Sequence, residues 1–238
     1  MTTDHIVKSF DEDLKKLDNI IAEMGGLAEV QLADAVEALI KRDTELADRV
    51  IAGDKKIDAL EAELDGQATN TLALRQPMAD DLRVTITALR TASLIERIGD
   101  YAKNIAKRSV VLAQSPPLGP TKSIARMATL VQGMTKDVLD AYVARDVDKA
   151  EAVRARDADA DLLHTSLFRE ILTYMMEDPR TITSCTHLLF VSKNLERIGD
   201  HATNIAELVY YLVKGVPPTD EREKSDASSF TVVDPDRD

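Results

Sequence analysis

The chain has 238 residues, a formal net charge of −12, 4% aromatic residues, no Trp and one Cys. A length like this admits one large domain or two of about 100 residues each, and the acidic balance, with no long Lys/Arg cluster, excludes a nucleic-acid binder. Cys185 has no possible intrachain partner, so a reducing cytoplasm is the expected location.

With Ala, Leu and charged residues dominant and only nine Gly and eight Pro, the composition is that of an all-α protein. Met1 to Asp13 is polar and acidic where a signal peptide would need a basic start and an apolar run, so none is expected. No apolar run approaches the roughly 20 residues of a bilayer span.

From Phe10, the residues Leu14, Leu17, Ile21, Met24, Ala28, Ala35 and Leu39 recur at helical spacing and predict a first long helix. Gly25-Gly26 falls inside it, as a kink or a close helix contact. Asp43 is the predicted N-cap of a second helix, whose stripe is Leu46, Val50, Ile57, Leu60, Leu64 and Ala68. This helix should end near Arg75-Gln76-Pro77, because proline disfavours helix in the residue before it. A third helix follows from about Asp81 to Ala113, with Ala88, Ala92, Ile95, Ile98, Ala102 and Ile105 on its buried side.

The chain then repeats itself. Glu96-Arg97-Ile98-Gly99-Asp100 returns as Glu196-Arg197-Ile198-Gly199-Asp200, and positions 96–106 and 196–206 agree at nine of eleven places. Earlier in the chain an offset of 103 takes Leu27 to Leu130, Asp54 to Asp157 and Asp58 to Asp161. The offset changes around Glu177-Asp178-Pro179, in a predicted loop that tolerates the deletion. The expected architecture is therefore a tandem duplication of two three-helix bundles, six long helices in all. Residues 1–113 form the first bundle, 114–120 the proline-rich linker, 121–214 the second bundle and 215–238 a disordered acidic tail.

The duplicated acids are the candidate functional residues. Glu96 and Asp100, one turn apart, share a helix face, as do Glu196 and Asp200. On a helical wheel these ladders lie roughly 130 to 170° from the apolar stripe, which predicts an outward, surface position. Helix two carries a second pair, Asp54 and Asp58, matched by Asp157 and Asp161, at about 90° from its stripe. Adjacent carboxylates repel, and a hard divalent cation bridging them removes that repulsion. A lone Glu-x-x-x-Asp is ordinarily solvated surface, and that reading stays open. Against it, the exposed positions are duplicated as faithfully as the buried ones. Gly99 and Gly199 each cost about 1 kcal/mol against Ala in a helix and call for a packing reason.

Other residues carry less. His164 stands where the first half has Glu61, and His201 where it has Tyr101, so neither is repeated. Leu82, Ile86 and Leu89, echoed by Ile182 and Leu189, serve either packing or a partner contact. No phosphate-binding glycine loop, Ser/His/Asp set or Cys/His cluster is present, which supports a non-enzyme. The rival is a carboxylate-bridged metal enzyme of helical-bundle type, although that chemistry usually takes Glu-x-x-His pairs pointing into the core.

Several segments together resemble the PhoU family. They are Met24-Gly25-Gly26-Leu27, Arg75-Gln76-Pro77 with Asp81-Leu82-Arg83, the run Tyr174-Met175-Met176-Glu177-Asp178 continued by Arg180-Thr181-Ile182 after Pro179, and both Glu-Arg-Ile-Gly-Asp copies. The resemblance spans roughly positions 5–215. It implies a cytoplasmic homodimer of two-bundle subunits, peripheral to the membrane through its partners. The implied role is negative regulation of the phosphate-starvation response, coupling the ATPase of a phosphate ABC transporter to a sensor histidine kinase. It also implies a bound divalent or transition metal (Mg, Mn, Fe or Zn) on the acidic pairs, which correspond here to Asp54/Asp58, Glu96/Asp100, Asp157/Asp161 and Glu196/Asp200.

Overall fold

The computed structural model describes residues 2–219 and 225–231, with side chains from Glu12 onward. Among the described residues there are eight α-helices and no strand. The first half comprises α1 (Thr2–Lys41), α2 (Thr44–Gly53), α3 (Lys55–Arg75) and α4 (Asp80–Leu112). The second comprises α5 (Thr121–Ala144), α6 (Val147–Ala155), α7 (Asp157–Glu177) and α8 (Ile182–Lys214).

The predicted middle helix of each half is thus a broken rod, a short helix followed by a long one. Asp54 sits at the first break, with its carbonyl accepting from both Ile57 N (2.9 Å) and Asp58 N (3.3 Å). Arg156 marks the second. Asp43 is the N-cap that the sequence predicts, accepting from Leu46 N, and its equivalent in the repeat, Asp146, caps α6 by accepting from Lys149 N, both at 2.9 Å. α3 ends at Arg75, immediately before Gln76-Pro77.

α1 runs unbroken through Gly25-Gly26, so the close-contact alternative holds. A Cβ on Gly25 would stand 3.0 Å from a methyl of Leu139 on α5, where the first helices of the two halves cross. A glycine costs a helix about 1 kcal/mol, and Gly25 gains close approach in return, whereas a Cβ on Gly26 would meet nothing within 4 Å.

α4 packs on α1, α2 and α3, and α8 on α5, α6 and α7. α4 and α8 also pack on each other, and the buried apolar residues of both halves make one continuous cluster. Tyr101 and His201, equivalent positions in the repeat, stack face to face with centroids 5.6 Å apart and planes 12° off parallel. Arg197 adds a 3.4 Å hydrogen bond to the Tyr101 hydroxyl, and Arg108 of α4 lies 4.1 Å over the Phe190 ring of α8.

The tail differs from expectation where it is described. Residues 225–231 lie against α7 and end in a 3-10 turn at Ser228–Phe230, because their backbone N–H groups find side-chain acceptors on that helix. The rest of the expected disordered segment after Thr219 falls outside the described residues.

Candidate metal sites

In the first half, the helix break places Asp54 at the meeting point of α1, α3 and α4. Its Oδ1 accepts from Gln31 Nε2 at 3.1 Å, and its Oδ2 from the Lys103 ammonium. Lys103 also donates to Asp100, so one lysine bridges the helix-two acid and the helix-three acid. Burial pulls the Lys103 ammonium down, but hydrogen bonds and charge from Asp100 and Asp54 outweigh it and hold it above the ordinary lysine range. Gly99 gives α4 its close approach. A Cβ there would stand 3.0 Å from Ile57 Cδ1, and the Gly99 carbonyl accepts from Gln31 Nε2 at 3.4 Å.

The remaining acids of this half lie along an edge where Asp100 shares Lys103 with Asp54. Asp58 is exposed, and Glu96 and Asp100 are half-buried. Burial, then the negative charges of Asp100, Glu61 and Asp58, push the Glu96 carboxyl from 4.5 up to about 7. Glu61 is raised as well, by burial and then by Asp65 and Asp58. The interactions place Asp58, Glu61, Glu96 and Asp100 in one groove between α3 and α4.

In the second half the groove lies between α7 and α8, and most of its acids are buried. Asp157 is 2% exposed, Asp161 4% and Glu196 6%, while Asp200 is half-buried. Asp157 accepts from the Thr203 hydroxyl at 3.1 Å, and Thr203 takes the place of Lys103 in the repeat. Lys193, where the first half has Ser93, donates to Glu196 Oε1 at 2.8 Å and to Asp226 at 3.2 Å. Asp161 Oδ2 accepts the backbone N–H groups of Ser225 (2.8 Å) and Asp226 (3.2 Å). Burial raises the Asp161 carboxyl, the Ser225 N–H draws it back, and Asp157, Asp200 and Asp226 raise it further. Burial also raises Glu196, against the Lys193 hydrogen bond. One oxygen of this carboxylate, Oε2, is buried without a hydrogen-bond partner.

The wheel's outward placement of the two ladders is therefore corrected at Glu196, which is buried, while Glu96, Asp100 and Asp200 are half-buried. Of the helix-two acids, which the wheel set at the flank, Asp54, Asp157 and Asp161 are buried and Asp58 is exposed. The wheel measures direction from a helix's own stripe, whereas burial here comes from the neighbouring middle helix and, in the second half, from the tail. Gln31, Glu61, Lys103 and Lys193 were not among the expected site residues. Lys103 had a signal: it is one of the two mismatches, with Tyr101, in the 96–106 repeat.

An oxygen-rich set suits hard cations, and the orphaned Glu196 Oε2 fits a cation ligand in a groove that otherwise leaves it unsatisfied. In the first half, Lys103 already supplies positive charge to Asp54 and Asp100. Among the described residues, no three Asp, Glu, His or Cys side chains are drawn into a ready cation cage. His164 is buried with Nδ1 2.8 Å from Ser192 Oγ, and Cys185 is buried near the start of α8. Leu82, Ile86 and Ile182 are exposed, while Leu89 and Leu189 pack on the core.

The family model for the PhoU domain matches twice, at residues 21–109 and 124–209, so that each copy holds one of these grooves. A phosphate-specific transport system accessory protein PhoU homolog of Caulobacter vibrioides is 51% identical over 228 residues, covering 95% of this chain and 99% of its own. The homolog of Rhizobium meliloti is 50% identical over 230 residues, 96% of this chain and 97% of its own. The crystal structure of PhoU from Pseudomonas aeruginosa superposes with a TM-score of 0.84 at 40% identity, covering 87% of this chain and all (100%) of that one. A regulatory protein PhoU of the phosphate transport system from Streptococcus pneumoniae does so at 0.80 and 28% identity, covering 88% and 99%. With both halves matched and the identity carried along nearly its whole length, this chain belongs to the PhoU family.

Proposed function

We propose that the protein is a non-enzymatic accessory regulator of phosphate-specific transport, acting as a negative regulator of the phosphate-starvation response. The observation that carries this reading is the match of about half the residues along nearly the full length of relatives named as phosphate-transport accessory proteins. In this role it acts in the cytoplasm as a homodimer and couples the ATPase of a phosphate ABC transporter to a sensor histidine kinase. Among the described residues no helix is long and apolar enough to cross a membrane, in keeping with attachment through partners.

The regulator binds a divalent or transition metal (Mg, Mn, Fe or Zn) in its two acidic grooves. Asp54, Asp58, Glu96 and Asp100 hold it in the first half, and Asp157, Asp161, Glu196 and Asp200 in the second. The metal neutralises carboxylates that burial and mutual repulsion leave strained, which is a structural and regulatory task. Lys103 and Lys193 do part of that work without metal.

Deleting the gene and following a phosphate-starvation reporter in phosphate-rich medium tests the regulatory role. The reporter should switch on; a reporter that stays silent overturns it. Metal analysis of protein purified without chelator tests the second part, with Asp100→Ala/Asp200→Ala losing metal.

A further inference from the structure

The C-terminal segment makes a docked contact with the second acidic groove that has no counterpart on the first among the described residues. Residues 225–227 run along α7 in its own direction. Ser225 and Asp226 donate their N–H groups to Asp161, and Ala227 donates at 3.2 Å to Thr165, one turn further on. The Asp226 carboxylate accepts from Ser228 N at 2.8 Å, shaping the turn, and from Lys193. Lys193 holds Glu196 at the same time, so α7, α8 and the tail are tied together across the groove.

The donors that reach Asp161 and Glu196 do what a cation would do. Two N–H dipoles point at the Asp161 oxygen, and an ammonium points at Glu196 Oε1. An oxygen whose lone pairs face N–H groups has little left to give to a metal, and a cation beside Glu196 repels Lys193, the tail's anchor. The buried, unpartnered Glu196 Oε2 shows that the docked tail satisfies the groove incompletely, which leaves a cation something to gain.

We propose that residues 225–231 are a built-in competitor for the second acidic groove: tail docking and cation binding at Asp161, Glu196 and Asp200 exclude each other, so that cation loading releases the tail. This rests on the cation reading of the grooves given above. The two grooves then respond differently to metal, the first by turning aside a lysine side chain and the second by freeing a length of backbone.

The test uses the full chain, with magnesium and then zinc as probes. Amide hydrogen exchange by NMR reads docking at Ser225 and Asp226, and calorimetry reads affinity. Both amides should be protected without metal and lose protection at saturation. Asp226→Ala removes the Lys193 anchor and should tighten the second-half site by about ten-fold, because apparent affinity falls with the fraction of molecules whose groove is free. Protection that persists or rises in the loaded protein overturns the inference, as does an Asp226→Ala affinity equal to that of the parent. Metal uptake by neither chain, under either probe, sinks the cation reading and this inference with it. Uptake with the tail still docked sinks this inference alone.

Discussion

The two acidic grooves descend from one sequence and neutralise their carboxylates by different means. In the first, Lys103 reaches from α4 to Asp54 and Asp100, inside a junction completed by Gln31. In the second, Thr203 offers Asp157 a neutral hydroxyl, and positive charge comes from Lys193 and from the N–H groups of the tail. A buried carboxylate has to be compensated, and two halves that diverged freely elsewhere met that demand with different side chains. Duplication preserved the acids; the compensation was found twice.

Removing the equivalent acids should separate the two halves most strongly. Asp54→Ala takes one of its two carboxylates from Lys103 and the Oδ1 acceptor from Gln31, and should lower stability by about 3 kcal/mol. Asp157→Ala removes the acceptor of the Thr203 hydroxyl, a loss of about 1–2 kcal/mol for that hydrogen bond. Urea denaturation of both variants measures the gap, and equal losses would show that the lysine bridge contributes nothing special.

Lys103→Thr makes the first groove resemble the second. With its internal ammonium gone, metal affinity in that half should rise by about ten-fold, since an opposing unit charge is removed at close range. Calorimetry that finds no change would mean that the lysine does not compete with metal.

The motif glycines should separate by a smaller margin. Gly199→Ala meets only ordinary contacts, the nearest at 3.7 Å, and should stabilise α8 by about 0.5–1 kcal/mol. Gly99→Ala must push Ile57 away from 3.0 Å, so its melting temperature should fall below that of the Gly199 variant.

Both halves also have a pH dependence. Glu96 titrates at about 7 in the folded protein against 4.5 for the free group, so the native state binds the extra proton. The stability it contributes is fully present below pH 4.5 and is lost as pH rises towards 7. Glu96→Gln should flatten that slope in denaturation curves taken between these limits, and NMR of the Glu96 carboxyl should show the raised midpoint directly. Burial raises Glu196 too, so Glu196→Gln should flatten a slope of the same sign.

Much of the fold was present in the sequence because it is local. Asp43 caps α2, Pro77 follows the end of α3, and the apolar stripes mark α1, α4 and α8. The break at Asp54 was hidden because the apolar stripe of Leu46, Val50, Ile57 and Leu64 runs through it without losing phase.

Helical character, duplication, likeness to the PhoU family and the acids kept in both copies are all legible along the chain. Helical period, capping and repetition are all properties of neighbours along the chain. That half of those acids are buried, that Lys103 bridges two of them and that the tail caps Asp161 follows only from how the helices and the tail pack. Burial and charge pairing depend on which groups converge from separate helices, and a wheel drawn for one helix contains nothing of the helices packed beside it.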